Sequence, residues 1–146
     1  MAKRRSNFNR RHNSSVYRSG LEERTAKSLE DLGVPFTFET LKIPYTEPAS
    51  NHKYTPDFII TTKSGKTLII ETKGIWVYKD RLKHLLIRDQ HPELDIRFVF
   101  DRSKSKITKA STTTYADICE GKGRGKFKDV TWQYADKRIP EEWLLE

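Results

Sequence analysis

The chain is poor in cysteine, in long apolar runs and, before Glu22, in acid. Cys119 is the single cysteine among 146 residues, which excludes an internal disulfide framework and fits a reducing compartment. No stretch approaches the roughly eighteen consecutive apolar residues that would make a membrane-spanning helix. The opening MAKRRSNFNRRHNSS has no apolar core of the kind a secretory signal carries. The four histidines, His12, His52, His84 and His91, are scattered, which argues against a structural zinc site.

What the chain has in surplus is positive charge. Lys and Arg number 28 against 20 Asp and Glu, a net charge of +8 and a sequence pI near 9.6. Such a surplus points to a polyanion, most often nucleic acid. Its distribution sharpens the point. Lys3, Arg4, Arg5, Arg10, Arg11 and Arg18 precede the first acid, Glu22. A segment this polar cannot bury enough to fold alone, so residues 1–17 are expected to be a basic arm that orders on phosphates. Residues 18–146 are expected to form one domain.

Within that domain the patterning is α/β. Residues 19–33, SGLEERTAKSLEDLG, read as a helix. Leu21, Thr25, Leu29 and Leu32 make one stripe, Ser19 and Glu22 match a capping box, and Gly33 supplies the stop. Residues 36–45 alternate as a strand, and 46–54 break the pattern as a linker or extended bridge. A hairpin follows over 54–76. Residues 79–91 read as a helix with Asp80 at its start, 95–100 as an inner strand, and 111–123 as a short capped helix stopped by glycine. Trp132, Tyr134, Ile139 and Trp143 are expected to pack the remaining segment onto the body. The hairpin is antiparallel, and a helical crossover to 95–100 favours a parallel pair, so the sheet is expected to be mixed.

The hairpin carries the chemistry. A three-residue loop, Lys63-Ser64-Gly65, with Gly65 at the left-handed position pairs Thr62 with Lys66. Ile60 then faces Leu68, Ile59 faces Ile69, Phe58 faces Ile70 and Asp57 faces Glu71. Phe58, Ile60, Leu68 and Ile70 share the core face, and Asp57, Glu71 and Lys73 share the other. A two-residue Ser-Gly turn would instead set Asp57 opposite Thr72. Two carboxylates with Cβ atoms about 5 Å apart need a proton or a cation between them. Near neutral pH a hard divalent cation such as Mg²⁺ suits oxygen donors, and Lys73 could meet a phosphate oxygen. The competing reading is an exposed ion-pair cluster of little weight. The apolar neighbours and the basic surroundings favour the site.

Pro56-Asp57, followed by Glu71-Thr72-Lys73, resembles the PD-(D/E)xK nuclease motif. RSGLE at 18–22, IPYTEPASNHKYTPDF at 43–58, ETKGIW at 71–76 and HLLIRDQHPELDIRFVF at 84–100 resemble the phage endonuclease I family of Holliday-junction resolvases. The resemblance implies a restriction-endonuclease-like core with a mixed central sheet flanked by helices. It also implies an intertwined homodimer, with the segment 46–53 bridging the subunits. Implied catalytic residues are Glu22, Asp57, Glu71 and Lys73. Implied metal ligands are Asp57, Glu71, the Thr72 carbonyl and Glu22, the last arriving from the second subunit. They would hold two Mg²⁺ ions, with Mn²⁺ able to substitute. Family members can carry a further acid at the position aligned with Thr37. Glu39 is the nearest acid here, on what reads as the same strand face. Taken alone, Glu22 reads as the third residue of the capping box.

The expected partner is branched DNA, four-way junctions above all, met in the host-cell cytoplasm without any organic cofactor. Arg18, Arg81, Lys83, Arg88, Lys104, Lys106 and Lys109, with the arm, are candidate backbone contacts. Each could instead be a solvated surface charge. Two other readings stand beside this one. The same motif serves mismatch-nicking, restriction and transposase-type nucleases, and a basic DNA-binding protein without catalysis would share the charge but have no use for acids facing phosphate.

Overall fold

The computed structural model describes residues 16–47 and 49–146. The basic arm up to residue 15, with Lys3, Arg4, Arg5, Arg10 and Arg11, lies outside the described residues. Tyr17, expected in the arm, instead packs edge-on to Phe38 with ring centroids 4.6 Å apart.

The first described helix of the body, α1 (Gly20–Asp31), starts on Ser19, whose hydroxyl accepts from the Glu22 N–H at 3.1 Å. The reciprocal half of the expected capping box is absent, because the Glu22 carboxylate accepts from the Arg18 N–H instead. At its far end the Gly33 and Val34 amides donate to Glu30 and Leu29 carbonyls. Gly33 takes φ 65°, the left-handed geometry that lets these carbonyls be satisfied. Leu21, Thr25 and Leu29 are buried, whereas Leu32 is exposed beyond the end of the stripe.

Five strands form the central sheet in the order β1-β4-β5-β6-β9. They are β1 (Phe36–Phe38), β4 (Phe58–Thr61), β5 (Thr67–Lys73), β6 (Ile96–Phe100) and β9 (Tyr134–Asp136). The β1/β4 and β4/β5 pairs are antiparallel, and β5/β6 and β6/β9 are parallel, so the sheet is mixed as expected. The hairpin register is the three-residue one: Phe58 faces Ile70, Ile59 faces Ile69 and Ile60 faces Leu68. Gly65, at φ 90°, closes it.

In the bounds of its elements the structure departs from expectation in three places. The 36–45 strand is interrupted: β1 stops at Phe38 and β2 (Ile43–Glu47) belongs elsewhere. The expected linker is a two-stranded ribbon of β2 with β3 (Ser50–Tyr54). The 111–123 helix shrinks to α3 (Tyr115–Cys119), capped by Thr114 and Asp117, because β7 (Glu120–Lys122) leaves it to pair with β8 (Lys128–Thr131).

The sheet buries both faces. On one side α1 covers Phe58, Ile60, Leu68, Ile70 and Val99, joined by Ile139 and by Leu144 of α4 (Glu141–Leu144). On the other side α2 (Tyr78–Gln90) turns Ile87 toward Ile69, Tyr54 and Tyr45. Its Leu82 and Leu85 pack on a cluster of Trp76, Phe98, Phe100, Tyr115 and Trp132. Burial of this much apolar surface on two faces is the main source of stability, at roughly 25 cal/mol per Å². The ribbon is pinned to the end of α2 by the Gln90 side-chain amide, which exchanges two 2.7 Å bonds with the Thr46 backbone.

Candidate active site at the end of the central strand

β5 is the middle strand of the sheet, and its last three residues are Glu71, Thr72 and Lys73. Alternation sends Glu71 and Lys73 to the α2 face, opposite Phe98 and Phe100, and Thr72 to the α1 face, opposite Val99. Glu71 is 5% exposed. Its Oε2 accepts from the Tyr54 hydroxyl at 2.7 Å. Its Oε1 lies 3.4 Å from Lys73 Nζ and 4.0 Å from His84 Nε2. Lys73 Nζ is also 3.7 Å from Asp80, which lies in the first turn of α2 as expected, behind an N-cap, Val77, that makes no side-chain capping bond. Burial pushes the Glu71 carboxyl up to about 7, and the Asp57 charge pushes the same way against Lys73 and the Tyr54 hydrogen bond.

Asp57 does not stand beside Glu71 on one face. The β4 strand begins at Phe58, so Asp57 lies one residue outside it and escapes the alternation. Its Oδ2 accepts from the Thr72 N–H at 2.9 Å and the Thr72 hydroxyl at 2.7 Å, which turns the carboxylate toward the α1 side. Among the described residues Oδ1 accepts no hydrogen bond. Burial raises the Asp57 pKa, and the two Thr72 bonds and the Lys73 charge oppose the rise. The two acids therefore straddle the end of β5 while remaining within electrostatic reach of each other.

On the α1 side Asp57 gains two further acids. Carboxylate oxygens of Glu22, Glu39 and Asp57 lie within 4.8 Å of one another. Glu22 is 8% exposed, and burial raises its pKa. Within one chain Glu22 meets Asp57 and Glu39. Glu39 is the acid nearest to the position aligned with Thr37, whose part in the site the sequence left open. It follows the end of β1 at φ 52°, and its N–H donates to the Asp57 carbonyl at 3.0 Å. It reaches the group through this left-handed backbone rather than by sharing a strand face with Thr37. Holding a glutamate there costs roughly 1 to 3 kcal/mol. Arg18 ion-pairs with Glu39.

Three clustered carboxylates, one of them with an oxygen that has no donor among the described residues, are a hard oxygen donor set and fit a divalent cation. Like charges this close are relieved by a bound cation or by protons; burial first, and the neighbouring acids to a lesser degree, raise the pKa values of Glu22 and Asp57.

Two neighbours of the site were not singled out in the sequence for these positions. Tyr54 ends β3 and is wholly buried. His84 is 1% exposed, and burial with the Lys73 and Lys83 charges holds its pKa well below the usual range, so the ring is neutral. Its signal was the three-residue step from Arg81 through His84 to Ile87, the buried stripe of α2.

The candidate DNA cations separate by environment. Arg88, Lys104, Lys106 and Lys109 are exposed, although Arg88 also donates to the Thr131 carbonyl. Lys83 is half-buried, with its ammonium 5.2 Å above the Tyr54 ring. Arg81 is corrected: it is 4% exposed and donates to the Trp76 carbonyl. It braces the turn after Lys73 rather than facing solvent.

Fold and site together define a mixed α/β protein with a buried acid-and-lysine centre suited to a divalent cation. A family model described as phage endonuclease I matches residues 1–146. Endonuclease I of Escherichia phage T7 is 49% identical over 131 residues, covering 90% of this chain and 80% of the relative. Endodeoxyribonuclease 1 of Enterobacteria phage T3 is 49% identical over 125 residues, covering 86% of this chain and 74% of the relative. The chain belongs to the phage endonuclease I family.

Proposed function

We propose that this phage-type endonuclease is a Mg²⁺-dependent endodeoxyribonuclease that resolves four-way and other branched DNA junctions by paired phosphodiester hydrolysis. It acts as an intertwined homodimer bridged through the β2–β3 ribbon, in the host-cell cytoplasm. The observation that carries the reading is the buried end of β5. Asp57, Glu22 and Glu39 gather on one side and Glu71 with Lys73 on the other, in a basic chain of the phage endonuclease I family.

Asp57, Glu71, the Thr72 carbonyl, Glu22 and Glu39 are the residues that would hold one or two ions. When bound, Mg²⁺ supplies Lewis-acid charge that acidifies water and offsets the charge gathering on the scissile phosphate. Asp57 is oriented for this by its two bonds from Thr72. Lys73 is held between Glu71 and Asp80, so its ammonium can approach a phosphate oxygen without leaving its partners. There it orients the hydrolytic water or stabilises the pentacovalent phosphate. Water adds across the P–O bond, and one strand end keeps the phosphate while the other leaves as a hydroxyl. Exposed Lys104, Lys106 and Lys109 hold DNA backbones, which carry no base sequence, so recognition follows junction shape and weakens steeply with salt.

The test is a competition between a labelled four-way junction and linear duplex of the same sequence, with Mg²⁺, for the wild type and Asp57→Ala. Preferential junction cleavage that disappears in the variant is expected. Equal cleavage of both substrates would reassign the protein to another nicking class. Full activity of Asp57→Ala would remove the site, and no cleavage of any DNA by the wild type would leave a binding protein.

A further inference from the structure

Behind the proposed cation ligands lies a buried polar layer that the mechanism leaves unused. Tyr54 is the last residue of β3, pairs with Ile43 across the ribbon and has no exposed surface. Its ring sits edge-on to His84, with centroids 5.1 Å apart, and under the Lys83 ammonium. Its hydroxyl donates to Glu71 Oε2 at 2.7 Å. His84 is boxed in by Tyr54 and by Phe98, at 4.8 Å, and neither ring nitrogen has a hydrogen-bond partner among the described residues.

We propose that Tyr54 is a positioning residue for Glu71: its hydroxyl fixes Oε2 so that Oε1 is presented beside Lys73 to a divalent cation. A buried donor on Oε2 restrains rotation of the carboxylate, and Oε1 beside Lys73 keeps a lone pair for a cation. The buried His84 ring stands on the other side, with Nε2 4.0 Å from Oε1. Because Tyr54 belongs to the ribbon, the donor that orients Glu71 is carried by the element proposed to join two subunits. The alignment of a catalytic acid therefore depends on how the ribbon is seated. This inference rests on the metal-dependent reading above.

The test is Tyr54→Phe in the full chain, which removes one oxygen from a packed ring. Mn²⁺ binding is titrated without DNA by electron paramagnetic resonance, beside cleavage across a Mg²⁺ series. Mn²⁺ affinity is expected to fall about 10-fold or more, the scale on which outer-shell partners act. Cleavage should recover most of its rate at saturating Mg²⁺. Equal Mn²⁺ affinity in variant and wild type overturns the positioning role and leaves the nuclease reading intact. A wild type that takes up no Mn²⁺ overturns both. Introducing the same change into Glu71→Gln separates positioning from general damage. A donor that acts through Glu71 weakens residual Mn²⁺ binding little further in that background, whereas a loosened fold weakens it by the full factor.

Discussion

Glu71→Gln should make the metal-free protein more stable while abolishing cleavage, and the gain should depend on pH. Glutamine keeps the shape of the side chain and can still accept from Tyr54, but carries no charge. The Glu71 carboxyl has its pKa raised from the ordinary 4.5 to about 7, with burial as the first cause. Between those two values the folded chain holds a proton that the unfolded chain has released. Stability contributed by this group is therefore present below about pH 4.5 and lost as pH rises through about 7. Above that the loss reaches about 3 kcal/mol, at about 1.4 kcal/mol for each tenfold change in proton concentration.

The expected pattern is near-equality of variant and wild type at the lowest pH the fold tolerates, and an advantage of about 2 to 3 kcal/mol for the variant by pH 8. The raised carboxyls of Asp57 and Glu22 add slopes of the same sign to both proteins, which largely cancel in the difference. Urea unfolding followed by tryptophan fluorescence, in chelator at pH 5, 6, 7 and 8, measures it. Saturating Mg²⁺ should narrow or reverse the order, since ligand binding stabilises the protein that binds better. An advantage that does not grow with pH, or a less stable variant at pH 8, would show that Lys73 and Tyr54 hold the ionised carboxylate comfortably. Desolvation would then not be what governs the ionisation of Glu71.

Three further outcomes are expected. Lys73→Met should lower single-turnover cleavage by about 100-fold or more, the scale of a lost charge stabiliser, while junction affinity in a gel shift stays within about threefold; parallel losses in both would make Lys73 a binding residue only. Glu39→Gln retains the backbone bond to Asp57 but removes one of the three clustered charges, so Mn²⁺ affinity should drop by about 10-fold, on the scale by which a supporting ligand tunes metal binding; an unchanged isotherm would leave Glu39 as a partner of Arg18 alone. Arg97, 1% exposed and bonded to Asp95 and Glu146, should cost about 3 kcal/mol when changed to alanine, read by urea unfolding; a loss under about 0.5 kcal/mol, the ordinary range for surface changes, would count against this network.

Which parts of the site could be read from the chain depends on how each strand finds its neighbour. The β4/β5 register is set by a turn between the two strands. Gly65 is the residue there that takes a left-handed φ without a Cβ penalty, and the whole ladder follows from it. Glu71 and Lys73 sit within β5, so alternation placed them correctly on one face. Asp57 lies just beyond the last pair, where alternation no longer binds, and the Thr72 amide and hydroxyl decide its direction. The Glu39–Asp57 contact has a different origin. Phe38 pairs with Phe58 at the end of the β1/β4 ladder, and the next step along both chains brings Glu39 against Asp57. No turn joins β1 to β4, because the β2–β3 ribbon intervenes, so their register is set by packing of Phe36, Phe38 and Phe58 under α1. Local turn chemistry can specify a hairpin, but a pairing across an inserted ribbon is specified only once the core has formed. The sequence offered Glu39 as the nearest acid but not its place against Asp57: a glutamate carrying a left-handed φ next to a buried aspartate follows from tertiary packing, and strain of that kind concentrates where a site requires it.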